Sequence, residues 1–113
     1  MSPQAVRRAK PADADSGIAD LERKAGEAAA LLKLLANENR LLILCRLALK
    51  NEMSVNDLAA AVKLSHSALS QHLAKMRDEG LLATRRAAQT IFYRIADPNA
   101  ARVLAFLKSM YCP

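Results

Sequence analysis

The 113 residues contain no Cys-x-x-Cys pair, no glycine-rich phosphate loop and no recognisable nucleophile–base pairing. Those absences leave nothing to support a small thiol enzyme such as a reductase or sulfurtransferase, and the chain reads as a non-enzyme with no cofactor. No apolar run approaches the roughly 20 residues that a bilayer span needs, so no membrane partner is expected. Arg7, Arg8 and Lys10 have no apolar segment behind them and do not read as a secretory signal. Cysteine is scarce. The two present, Cys45 and Cys112, point without such a signal to a reducing cytoplasm, where a disulfide is transient or sensory rather than a permanent staple.

What is present is apolar and basic. Apolar residues make up 52% of the chain, enough to exclude wholesale disorder. The length allows one domain near the marginal end of self-sufficiency, a size at which helical domains often complete their cores by dimerising. The net charge of +6 is unevenly placed. Residues 18–62 carry six cations and six anions, whereas residues 63–113 carry eight cations against Asp78, Glu79 and Asp97. A neutral part joined to a cationic part is the footprint expected when one surface meets phosphates.

Residues 1–16 mix Pro, Ala, Ser and alternating charge, and read as a flexible tail preceding a domain over 17–113. From Leu21 an apolar stripe recurs at Ala25, Ala28, Leu32 and Leu35, the spacing of one helical face. Gly26 weakens that helix by about 1 kcal/mol relative to alanine, so packing against something else must hold it. Asn37 caps a second helix reaching about Lys50, with Leu41, Leu44, Cys45 and Ala48 expected on its inward or seam side. Ser54 and Asp57 form a capping box for a short third helix. Ser65 caps a fourth, whose inward face is Ala68, Leu69, Leu73 and Met76, and Gly80 is placed to end it. Leu81–Arg86 and Gln89–Ile95 read as a hairpin, supported by the alternation of Ile91, Tyr93 and Ile95. Asp97 and Pro98 then start a last helix with Ala100, Val103, Leu104, Leu107, Met110 and Tyr111 on one side. The expectation is mainly α with a small β-hairpin, ordered α-α-α-α-β-β-α: a winged helix-turn-helix with extra helices at both ends.

The third and fourth helices, joined near Lys63 and Leu64, make the helix-turn-helix. The outer face of the second member carries Ser67, Ser70 and Gln71, with His66 near its start and Lys75 toward its far end. Such side chains can hydrogen-bond base edges or phosphates in a major groove. His72 lies beside the inward Leu69 and Leu73, and both a phosphate contact and a packing or capping role remain open. Arg85, Arg86, Gln89 and Thr90 on the hairpin suit phosphate or minor-groove contact.

Ser65-His-Ser-Ala-Leu-Ser-Gln-His-Leu-Ala-Lys-Met-Arg77, followed by Asp78-Glu-Gly-Leu-Leu82, resembles the recognition helix and wing start of the ArsR/SmtB family of bacterial repressors. Leu35-Ala-Asn-Glu-Asn-Arg-Leu-Leu-Ile-Leu44 resembles that family's second helix. The resemblance covers about residues 28–112. It implies a homodimer held by the first and last helices, bound to double-stranded operator DNA at an inverted repeat. One departure is Lys63, where members often carry glycine; if a positive φ is needed there, lysine costs about 1 kcal/mol.

Members differ chiefly in their inducer. Metal-sensing branches place cysteines at the start of the third helix, or Asp and His ligands along the last. Here Met53-Ser-Val-Asn-Asp-Leu58 holds no cysteine and the last helix no histidine. Two sulfurs alone do not complete a tetrahedral zinc site. The segments Ile43-Leu-Cys-Arg-Leu47 and Arg85-Arg-Ala-Ala-Gln-Thr-Ile-Phe-Tyr93, with a cysteine closing the last helix, resemble the persulfide-sensing SqrR/BigR group. That resemblance implies that the reduced dimer represses and that reactive sulfur species link Cys45 and Cys112 through a disulfide or polysulfide, releasing the operator. A general oxidant-sensing or metal-sensing repressor of the same family is the alternative, and a bacterial, nucleoid-associated location is expected for either.

Overall fold

A computed structural model describes residues 11–112, with side chains from Gly17 onward. It divides into two compact units, Met1–Lys33 and Leu34–Pro113. The first unit holds α1 (Pro11–Arg23) and most of α2 (Ala25–Leu35). Helix therefore begins inside the stretch expected as a tail, whose residues 1–10 lie outside the described part. Proline suits the first position of α1 because the amide it lacks would have no partner there anyway. The single helix expected from Leu21 is two, broken only at Lys24. The Lys24 N–H is shared between the carbonyls of Asp20 (3.2 Å) and Leu21 (3.1 Å), and its own carbonyl accepts from Ala28 at 3.0 Å. Of the expected stripe, Leu21 and Leu32 are more than half exposed, 54% and 57%, so the single chain leaves that face open.

The second unit starts with the last turn of α2, where Leu34 and Leu35 are buried. Asn37 caps α3 (Glu38–Lys50) by accepting from the Arg40 N–H at 3.1 Å. The inward stripe of α3 is Ile43, Leu44 and Leu47. This corrects the expected stripe: Cys45 and Ala48 lie off it and are exposed. Ser54 Oγ accepts from the Asp57 N–H at 3.2 Å to open α4 (Val55–Val62), and Ser65 Oγ accepts from the Ala68 N–H at 3.1 Å to open α5 (His66–Asp78). Lys63, between them, stands in the left-handed region at φ 59° and ψ 43°.

A Schellman motif ends α5. The N–H of Gly80 bonds the carbonyl of Arg77 at 2.9 Å, and the N–H of Leu81 bonds that of Met76 at 2.8 Å. Gly80 supplies the positive φ of 82° this requires, and both apolar partners, Leu81 and Met76, are buried. The hairpin is β2 (Leu82–Ala87) against β3 (Thr90–Ile95), closed through Ala88 at φ 57°. A third strand, β1 (Met53–Ser54), pairs antiparallel with β3 in the order β1-β3-β2. Sequence reading missed it, since two residues are too short to show alternation. Asp97 caps α6 (Pro98–Tyr111), accepting from the Asn99 N–H at 2.8 Å.

The core of this unit gathers Ile43, Leu44, Leu47, Leu58, Leu69, Leu73, Met76, Leu81, Leu82, Tyr93, Ala100 and Leu104. Burial of that apolar surface, at about 25 cal/mol per Å², is what holds the short α4 and α5 at a fixed angle. Beyond Leu107 every described residue of α6 is exposed, including Met110 at 55% and Tyr111 at 77%, so the end of the expected apolar side is left open in the single chain. Among the described residues no helix is long and apolar enough to cross a membrane.

Candidate nucleic-acid interface and thiol pair

The period of α5 decides which side chains can leave the protein. Leu69, Leu73 and Met76 are spent on the core, so the opposite face presents His66, Ser67, Ser70, Gln71 and Lys75, all exposed. Short hydroxyl and amide side chains there let a helix backbone approach a groove closely. Lys75 is not wholly free, since its Nζ donates to Glu79 Oε2 at 3.3 Å one turn on.

His72 departs from that face. It is half-buried, and its Nδ1 accepts a hydrogen bond from Arg40 Nε at 3.3 Å. The structure thus ties it to α3, matching the packing alternative left open above. Burial, and after it the Arg40 charge, hold its pKa below the usual imidazole value. The neutral ring is therefore favoured, with the remaining proton on Nε2.

The wing sorts its cations by strand register. Pairing sets Leu82, Thr84, Arg86, Ile91, Tyr93 and Ile95 on one sheet face and Ala83, Arg85, Ala87, Thr90, Phe92 and Arg94 on the other. Leu82 and Tyr93 mark the first as the core face, and Arg86 extends past the core's edge into solvent. Arg85, expected to suit phosphate or minor-groove contact, is engaged within the chain. Its Nε donates to Glu52 Oε2 at 3.0 Å, a second guanidinium nitrogen donates to Glu52 Oε1 at 2.7 Å, and its Cζ lies 4.8 Å from the centre of the Phe92 ring. The hydrogen bonds and charge of Arg85 hold the Glu52 carboxyl below the ordinary carboxylate range, and Arg94 adds to the effect. Arg86 has no ion-pair partner among the described residues. Gln89 and Thr90 are exposed near the tip. Sequence reading missed Glu52 and Arg94 beside Arg85, and Arg40 behind His72. Glu52 stands 33 positions from its partner, and no local pattern links them.

Both cysteines are free and exposed, Cys45 on the outer side of α3 and Cys112 as the C-cap of α6. The two helices pack against each other. Cys112 ends its helix by donating its N–H to the Lys108 carbonyl at 2.8 Å. The expectation that Cys45 faces inward is corrected: Ile43, Leu44 and Leu47 take the inward positions, so the core does not desolvate its thiol. The described residues contain no group of three His, Cys, Asp or Glu able to hold a metal ion.

Comparison with known proteins adds an independent line. The sequence profile of bacterial regulatory proteins of the arsR family matches residues 37–84, from the cap of α3 into β2. The transcriptional activator HlyU of Vibrio cholerae is 44% identical over 99 residues, covering 88% of this chain and 91% of that protein. A solved structure of reduced HlyU from the same organism superposes with a TM-score of 0.77 at 45% identity, covering 83% of this chain and 98% of the other. The transcriptional repressor BigR of Xylella fastidiosa superposes with a TM-score of 0.77 at 36% identity, covering 83% and 95%.

Proposed function

This chain belongs to the ArsR family of bacterial regulatory proteins, and we propose that within it the chain is a thiol-switched repressor that senses reactive sulfur species. As a family member it is a DNA-binding transcriptional regulator with a winged helix-turn-helix, and not an enzyme. Regulators of this family bind operator DNA as dimers. The open apolar faces of α2 and α6 suit such an association. On the reading proposed, Ser67, Ser70 and Gln71 meet base edges of an inverted repeat, while His66, Lys75, Arg86, Gln89 and Thr90 meet the sugar-phosphate backbone or the minor groove. On the same reading it acts in the cytoplasm, where its operator DNA lies.

The observation that carries the sensing half is the pair of free, exposed thiols on α3 and α6, two helices that pack together in the unit that also holds α5. The thiolate of one cysteine attacks the outer sulfur of an organic persulfide RSSH, taking that sulfur and releasing RSH. The second cysteine then attacks the inner sulfur of the resulting protein persulfide, and H2S leaves with the pair of electrons. In sum, RSSH and two thiols give RSH, H2S and one disulfide; a second RSSH allows a trisulfide with another RSH released. In an entropic treatment, closing so long a loop restrains the chain by about 4 kcal/mol. A difference of 2–3 kcal/mol between dimer conformations already changes operator affinity by roughly 30- to 150-fold.

The experiment treats the dimer with glutathione persulfide or with hydrogen peroxide. Intact mass, the Cys45–Cys112 peptide pair and affinity for a duplex that the wild-type protein enriches from a random pool are then measured. Cross-linking and release by the persulfide alone support the reading. Equal response to peroxide makes the protein a general oxidant sensor, and undiminished binding under both removes the switch.

A further inference from the structure

One part-buried tie around α5 is used by neither the groove contacts nor the thiols. Arg40, in the first turn of α3, donates in two directions: NH1 to the Leu34 carbonyl in the last turn of α2 at 3.0 Å, and Nε to His72 Nδ1 on α5 at 3.3 Å. Both bonds are part-buried, and Arg40 itself is half-buried, unlike the exposed cations of the wing. Leu34 and Leu35 at one end and Leu69 and Leu73 at the other are all buried, so the bonds join two packed corners. We propose that Arg40 is a positioning residue for operator binding: by bridging Leu34 and His72 it sets the angle at which α5 meets DNA.

Three features support this. A bare core contact leaves a helix free to rotate by small amounts, whereas directional hydrogen bonds from one guanidinium to the α2 carbonyl and to the α5 ring restrain that rotation. Arg40 donates to Nδ1, so His72 must be the Nε2–H tautomer, and protonating Nδ1 destroys the acceptor. A protonated His72 also sets a second cation against Arg40, the charge that acts on it. The elements packed on α5 bring few alternatives. Asp57 is the charged residue of α4, Lys63 of its cap, Arg85 and Arg86 of β2, and Glu38, Arg46 and Lys50 the others of α3, while on α5 itself Lys75 is taken by Glu79 and Arg77 lies 3.8 Å from Asp78. None of these offers His72 a replacement partner in the structure. Acid therefore loosens the seat of α5 while adding positive charge to it, and the two consequences pull operator affinity in opposite directions. A positioning role predicts that the loosening dominates for a specific duplex, because base contacts depend on register and phosphate contacts do not.

The test measures binding of folded dimer, verified by circular dichroism at each pH, to two duplexes. One is enriched from a random pool by the wild-type protein and the other is of unrelated sequence. Arg40→Gln is expected to weaken the enriched duplex about 5-fold or more at pH 7.5 with less than about 2-fold change for the unrelated one. His72→Leu, which removes the acceptor without touching Arg40, should do the same and keeps the proposal testable if Arg40 variants fold poorly. His72→Asn keeps a carbonyl oxygen near the place of Nδ1 but takes no proton. It should bind as wild type at pH 7.5 and lose the wild-type fall in specific affinity between pH 7.5 and 5.5. Equal weakening on both duplexes would make Arg40 an ordinary phosphate contact and overturn the proposal. So would wild-type binding by Arg40→Gln, or an acid response of His72→Asn identical to wild type. None of these outcomes depends on the cysteines, so the sensing reading can fail while this one stands.

Discussion

Arg85 and Arg86 are neighbours of equal charge, yet they should contribute unequally to DNA binding. Arg86 is unpaired among the described residues, while Arg85 is held by two hydrogen bonds to Glu52 and by the Phe92 ring. Each phosphate neutralised by a free cation contributes about 0.9 to the slope of log affinity against log salt. A dimer carries two wings. Arg86→Ala should therefore make the slope shallower by about 1.8, which between 50 and 200 mM salt is about 12-fold less loss of affinity. The charge-neutral double variant Glu52→Gln with Arg85→Gln should leave the slope unchanged within about 0.3. Glu52→Gln alone frees Arg85 and should steepen the slope by up to about 1.8, with tighter binding to any duplex at low salt. Fluorescence anisotropy titrations at five or more salt concentrations read all three. The reasoning fails if the double variant flattens the slope as much as Arg86→Ala, because Arg85 would then leave Glu52 for phosphate whenever DNA arrives.

Lys63→Gly should stabilise the fold. Relief of the left-handed conformation at φ 59° is worth about 1–2 kcal/mol, offset by about 0.5–1 kcal/mol of added unfolded-state entropy, and Tm at fixed protein concentration should rise by up to roughly 8 °C. A lower Tm would contradict that strain argument. His72 binds a proton less readily folded than unfolded, so its contribution to stability is present above its unfolded value of about 6.5 and is lost as pH falls below it. Urea midpoints from pH 8 to 5 should decline less steeply in His72→Asn than in wild type. Leu44→Ala empties a fully buried site and should cost about 2–5 kcal/mol by chemical denaturation. Cys112→Ser should retain DNA binding yet form no intrachain cross-link with persulfide, as read by intact mass; unchanged release of the duplex would remove the dithiol mechanism.

Much of the fold was legible because it is written locally. The caps at Asn37, Ser54, Ser65 and Asp97 each satisfy an amide two or three residues on, and the stop at Gly80 follows from its freedom at positive φ. The serines and Gln71 on the open face of α5 follow from the helical period once Leu69, Leu73 and Met76 are turned inward. The strained turn at Lys63 was legible too, as a side chain occupying a place that favours glycine. The stripe of α3 was less so. Leu41, Leu42, Ile43, Leu44 and Leu47 are all apolar, so composition cannot rank them, and Cys45 was misplaced by one helical position.

By itself, then, the order of residues determined the caps of α3 to α6, the stop after α5, the wing hairpin and the family, since each depends on interactions spanning only a few positions. Tertiary structure alone decided that Glu52 holds Arg85, that Arg40 bridges Leu34 and His72, that β1 joins the wing, and that both thiols stand in the open. These pairings join groups far apart along the chain. Their partners are selected by how the apolar faces of α3, α5 and the sheet close over one another, and that packing leaves no trace in any short stretch of sequence.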